Sequence, residues 1–92
     1  MTTPVLHLSI HGLVQGVSYR WNLVQAARQR GVAGWVRNRR DGSVEAVIAG
    51  PQAALDDLVA WARVGPPGAR VDRVDVEPAE GMFDGFEQHP TA

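Results

Sequence analysis

The sequence predicts an α+β fold in which two helices cover one face of an antiparallel sheet, in the order β-α-β-β-α-β. Three observations carry this. Leu6, Leu8 and Ile10 alternate with His7, Ser9 and His11, the period-2 pattern of a half-buried strand. Two later segments repeat apolar residues at helical spacing: Tyr19, Leu23, Ala26 and Ala27, then Leu55, Leu58, Val59 and Ala62. Between them, the runs 32–37 and 44–49 flank an Asp41-Gly42 pair, a strong hairpin signal.

Each element has a local reason. The first strand is expected over 5–11, with His7, Ser9 and His11 outward on a solvated face. The first helix runs over 19–30 and ends at Gly31, a normal C-cap. Gly50-Pro51 opens the second helix, with proline at its first position. Trp21 and Trp61 are expected to help bury the two helices. Gly65-Pro66-Pro67-Gly68 is a rigid break too short to link domains. Val74 and Val76 continue a fourth strand, with Val71 out of phase; a bulge or a later strand start reconciles the three. After a turn at 78–81, residues 83–88 form a short edge strand. The result is the split βαβ, or ferredoxin-like, sandwich, read as a single domain over residues 1–92.

Composition narrows the function. The chain is 45% hydrophobic and 21% charged, with a formal charge of −1, which argues against a broad surface for nucleic acid or anionic membrane. Its charge is uneven, however: six of nine arginines fall between Arg20 and Arg40, and six acidic residues lie from Asp56 to Glu80. That asymmetry favours a small anionic ligand near the first half. There is no cysteine, so no disulfide, thiolate metal site or thiol nucleophile is available. Met1-Thr2-Thr3-Pro4 is not a secretory signal, and a cytoplasmic, monomeric protein is expected.

The stretch Gly12-Leu13-Val14-Gln15-Gly16-Val17-Ser18-Tyr19-Arg20 joins strand to helix. A glycine-bearing loop there lets backbone N–H groups converge at the positive end of the helix dipole. Arg20 adds a planar fork of donors matched to phosphate oxygens. It is not a Walker loop, because the chain has no lysine, and the three-glycine Rossmann spacing is absent. A tight turn whose glycines merely permit positive φ is the simpler reading of the loop taken alone.

The ordered set of motifs changes that balance. The loop, then Gly31-Val32-Ala33-Gly34-Trp35-Val36-Arg37-Asn38, Asp41-Gly42-Ser43-Val44-Glu45, Gly50-Pro51, Gly65-Pro66-Pro67-Gly68-Ala69, Val71-Asp72-Arg73-Val74 and Gly85-Phe86-Glu87 together resemble the acylphosphatase family. The likeness runs over about Leu6 to Glu87. It implies metal-independent hydrolysis of acyl phosphates to a carboxylate and inorganic phosphate, with no cofactor. It also implies that the backbone amides of Gln15, Gly16, Val17, Ser18, Tyr19 and Arg20, with the Arg20 guanidinium, hold the phosphate. Asn38, in Gly34-Trp35-Val36-Arg37-Asn38, would orient the attacking water. Inorganic phosphate would then compete with substrate.

The chemistry agrees with what the sequence lacks. The leaving group is a carboxylate, the conjugate base of an acid with pKa near 4. It departs without a general acid, so positioning and electrostatics can carry the transfer. Ser18 reads as a turn or helix-cap residue rather than a nucleophile, since no base is specified beside it. His7 and His89 lack metal-ligand spacing. His11 reads as an exposed residue of the open sheet face, and Arg37, Arg39 and Arg40 as a solvated hairpin or a steering cluster. Arg30, before Gly31, predicts a shallow helix end. The tail 88–92 departs from the family's usual apolar-then-basic ending. The rival reading is a binding module: similar domains occur inside larger hydrogenase-maturation carbamoyltransferases, and the same topology binds RNA. The RNA reading wants aromatics over a basic sheet, and Trp35 offers little of that.

Overall fold

The structure is a computed structural model that describes residues 3–92, so Met1 and Thr2 of the amino-terminal stretch lie outside it. Its elements run β1 (Val5–Leu13), α1 (Tyr19–Gln29), β2 (Ala33–Asn38), β3 (Val44–Ala49), α2 (Gln52–Val64), β4 (Arg70–Pro78) and β5 (Phe86–Gln88). They form one sheet in the order β4-β1-β3-β2-β5. The pairs β1–β3, β1–β4 and β2–β3 are antiparallel, as expected. The fifth strand is the exception: it adds to β2 in parallel, which makes the sheet mixed.

Alternation sorts the sheet into two faces. Leu8 and Ile10 of β1, Val36 of β2, and Val44, Ala46 and Ile48 of β3 turn toward the helices and are fully buried. They pack with Tyr19, Leu23, Val24, Ala26 and Ala27 of α1 and Leu55, Leu58 and Ala62 of α2 in one core. Trp61 joins that core at its edge and tilts against Tyr19, with ring centroids 5.6 Å apart. Trp21 does not: it lies 61% exposed on the solvent side of α1, because its position is off the Tyr19-Leu23 stripe.

The face expected to be open is half covered. Phe83 and Ala79, in the segment between β4 and β5, pack with Trp35 over Val5, Val47 and Ala49. Phe83 therefore leaves the last strand, which begins only at Phe86. With the helices over its other face, every residue of the central strand β3 is buried.

The fourth strand is bulged. His11 pairs with Arg73 but Gly12 pairs with Val71, so Asp72 is the extra residue and Val71 rejoins the inward phase. Gly12 is required there: a Cβ on it would sit 2.1 Å from the Arg70 carbonyl oxygen. Helix α1 closes on Gly31, with the Val32 N–H donating to Ala27 O at 2.9 Å and the Gly31 N–H to Arg28 O at 3.2 Å, a Schellman closure. Arg30 ends half-buried, donating to Asp57 at 2.8 Å and to the Ala26 carbonyl at 3.0 Å. Pro51 stands one residue before α2, at its N-cap, rather than inside it. The tail docks along β2: His89 N–H donates to Val36 O at 2.8 Å and Ala92 N–H to Asn38 O at 3.1 Å. No helix among the described residues is long and apolar enough to cross a membrane.

Candidate active site

Strand register decides what meets at the site. Ile10 pairs with Val44, and Val44 with Asn38, so the ends of β1 and β2 and the start of β3 lie together. The loop 14–18 leaves β1 at that end and turns into α1. Gly16 and Ser18 both take left-handed backbone, with φ of 76° and 59°. Ser18 precedes the helix but makes no side-chain cap, so it serves as a turn residue. Its carbonyl is used instead, accepting from the Asn22 backbone N–H at 3.0 Å and side-chain amide at 2.8 Å.

The consequence is a set of unspent donors. Among the described residues, no backbone N–H from Gly16 to Trp21 donates to a protein acceptor. The first turn of α1 carries no acidic residue, so nothing offsets the positive end of its dipole. Arg20 is half-buried beside them and, among the described residues, has no ion pair or hydrogen-bond acceptor. That contrasts with Arg37 and Arg39, which are both committed to Glu45.

Asn38 supplies the opposite polarity. Its Oδ1 is buried and has no hydrogen-bond partner among the described residues. An orphaned acceptor of that kind is expensive unless water or a ligand completes it. Arg20 and Asn38 line one cleft of about 410 Å³, together with Gln15, Gly16, Ser18 and Tyr19. Val17 turns its side chain into the core, leaving only its backbone to the loop. Tyr19 also contributes backbone: its ring is buried and its hydroxyl donates to Ala62 O at 2.7 Å. Burial pushes that phenol well above its ordinary pKa, so it stays protonated.

The side chain of Gln15 is spent elsewhere. Its Nε2 donates to Arg39 O at 2.6 Å and to Ser43 O at 2.9 Å, which staples the loop to the β2–β3 hairpin. The hairpin is itself held by Asp41, whose Oδ1 accepts from Ser43 N and Oγ at 2.9 and 2.6 Å. Three further walls of the cleft were not among the expected site residues: Val14, Trp21 and Gln88. Gln88 arrives because β5 runs parallel to β2, a pairing that strand periodicity cannot reveal. A larger groove of about 1040 Å³ lies at the other end of the sheet, between Val5, Ala49 and Phe83. It has no cationic side chain on its walls. A third cavity of about 440 Å³ carries Arg28, but also Asp84 and Glu87.

Behind the hairpin, Glu45 organises the polar half of the outer face. It is buried and accepts from Arg37 Nε at 2.6 Å and Arg39 Nη2 at 2.7 Å, with His7 Nε2 also at 2.7 Å. Arg37 and Arg39 are therefore a bound cluster, not a solvated one; Arg40 remains exposed. His11 stands 3.5 Å from Asp75 and does not line the cleft. Desolvation raises the Glu45 carboxyl, but the bonds from Arg39, His7 and Arg37 outweigh it and hold it at about 2. A carboxyl depressed on folding stabilises the native state above its unfolded pKa, and that stabilisation is lost as pH falls from about 4.5 toward 2. Glu45→Gln is expected to flatten this acid limb and to cost roughly 2 kcal/mol near neutrality, the scale of hydrogen bonds lost from a charged acceptor. Thermal unfolding of both proteins across pH checks it; an unchanged acid limb in the folded variant contradicts the assignment.

The acylphosphatase family model matches residues 6–88 of this chain. The chain belongs to the acylphosphatase family. An acylphosphatase from Acidovorax sp. (strain JS42) is 56% identical over 86 residues, covering 92% of this chain and 89% of the relative. One from Thiobacillus denitrificans is 55% identical over 83 residues, covering 90% and 93%. The crystal structure of acylphosphatase from Bacillus subtilis superposes with a TM-score of 0.90 at 32% identity, covering 94% of this chain and 98% of that one. The fold anticipated from the sequence is thus the acylphosphatase fold, and the protein is an acylphosphatase enzyme, acting on acyl phosphates.

Proposed function

We propose that the cleft hydrolyses the carboxyl–phosphate bond by direct attack of water on phosphorus, without metal or cofactor. The phosphate is held by the backbone amides of Gln15 to Arg20 and by the bidentate guanidinium of Arg20. A water donates one hydrogen to Asn38 Oδ1, which orients its lone pair toward phosphorus. The new P–O bond forms as the P–O bond to the acyl group breaks. The carboxylate leaves with that electron pair, and the water's proton passes to the phosphate or to solvent.

One observation supports this reading above the others: unspent donors, an unpaired Arg20 and the orphaned Asn38 oxygen share a single cleft. Donors suit an anion, and a buried acceptor suits a water beside it. Neither Ser18, uncoupled from any base, nor the buried Tyr19 hydroxyl offers a nucleophile.

The expected result is rapid turnover of acetyl or benzoyl phosphate with a chelator present. A phosphate monoester such as phenyl phosphate should be a far poorer substrate, because no general acid serves its leaving group. Steady-state release of phosphate from the three compounds measures this. Equal turnover of both classes, or loss of activity to the chelator, contradicts the mechanism.

A further inference from the structure

An in-line displacement divides the cleft. With the attacking water beside Asn38, the leaving acyl group must lie on the far side of phosphorus, away from β2. Of the apolar side chains in the cleft, Val14 and Tyr19 are each only 1% exposed and offer an acyl group almost no surface. Trp21 is 61% exposed. It follows Arg20 directly in the first turn of α1, a different element from the strand that carries Asn38. Nothing in the fold requires a tryptophan there, since the buried stripe of α1 runs through Tyr19, Leu23, Val24, Ala26 and Ala27.

We propose that Trp21 is the acyl-recognition surface of this enzyme, giving it selectivity for acyl phosphates with aromatic or bulky apolar acyl groups over acetyl phosphate. The inference rests on the hydrolytic reading above and adds the part of the substrate that the phosphate cradle does not touch. An indole face packs offset or edge-to-face against a planar aryl carboxyl group and removes apolar area from water. Acetyl phosphate presents one methyl group and gains little from the same surface. The remaining walls are polar side chains and the Gly16 backbone, so no second apolar surface substitutes for Trp21.

The test compares wild type, Trp21→Ala and Trp21→Phe by kcat/KM on benzoyl and acetyl phosphate and by inhibition with inorganic phosphate. The ratio of benzoyl to acetyl kcat/KM is expected to fall about tenfold in Trp21→Ala, mostly through KM for benzoyl phosphate. The loss on benzoyl phosphate should exceed any loss on acetyl phosphate or any weakening of phosphate inhibition, and Trp21→Phe should recover most of the ratio. An unchanged ratio, or equal losses on both substrates, overturns the role of Trp21 while leaving the hydrolysis standing. Wild-type protein that turns over neither acyl phosphate contradicts the hydrolysis, and this proposal with it.

Discussion

Arg20→Ala should lose phosphate binding and nearly all catalysis together. Arg20 is the half-buried guanidinium beside the unspent amides, and it carries no counter-ion among the described residues. A fork of donors on the equatorial oxygens stabilises the charge that spreads over them during transfer, a contribution on the order of 10³- to 10⁵-fold in rate where an arginine plays this part. The expected outcome is a fall in kcat/KM of roughly 10⁴-fold. Inorganic phosphate should also cease to compete at concentrations that inhibit the wild type. Arg20→Lys should recover only part of the loss, because an ammonium is a point charge and cannot reproduce the planar fork. The fold should survive, since the Arg20 side chain makes no hydrogen bond or ion pair that holds the helix in place among the described residues. Titration with phosphate separates the three proteins, and equal affinities would remove Arg20 from the site.

Much of this architecture was legible because one period governed each segment. Leu6, Leu8 and Ile10 could be placed on one face because a strand that buries one side must alternate. Gly31 could be read as the end of α1, because the left-handed position after a helix favours glycine. The bulge was legible from a single conflict of phase, Val71 against Val74 and Val76, and the unpaired Asp72 resolves it. The Asp41-Gly42 turn carried its own signature and placed Asn38 at the mouth of a hairpin.

What stayed hidden depends on contacts between distant segments. The parallel direction of β5 follows from where the chain emerges after crossing the outer face, and it brings Gln88 beside Asn38. Phe83 has the look of a strand residue, yet it is drawn off to cover Val47 and Ala49. The sequence suggests a solvated face for His7, Arg37 and Arg39, which in the structure gather on Glu45. Opposite charges on adjacent strands were the signal of a buried cluster, since β3 is central and one carboxylate can accept from three neighbours. Trp21, expected to help bury the helices, is set on the exposed side by its helical position. The unsatisfied Asn38 oxygen could not be read at all, because it depends on what fails to surround it.

Asn38 is where binding and chemistry should come apart. If its amide orients only the water, Asn38→Ala keeps the donors of Gln15 to Arg20 and the guanidinium of Arg20, so affinity for inorganic phosphate should stay near wild type. The rate should fall by about 10²-fold or more, the scale of losing one preorganised polar group. Asn38→Asp preserves the acceptor but sets a carboxylate against an anionic substrate, so it should weaken phosphate binding as well as slow turnover. A purely structural asparagine predicts the reverse pattern, a lower melting temperature with normal turnover in the protein that remains folded. The decisive measurement is kcat on benzoyl phosphate for folded Asn38→Ala, set beside its phosphate affinity. A fall of about 10²-fold at unchanged affinity is the predicted result, and a normal kcat contradicts a water held by Asn38.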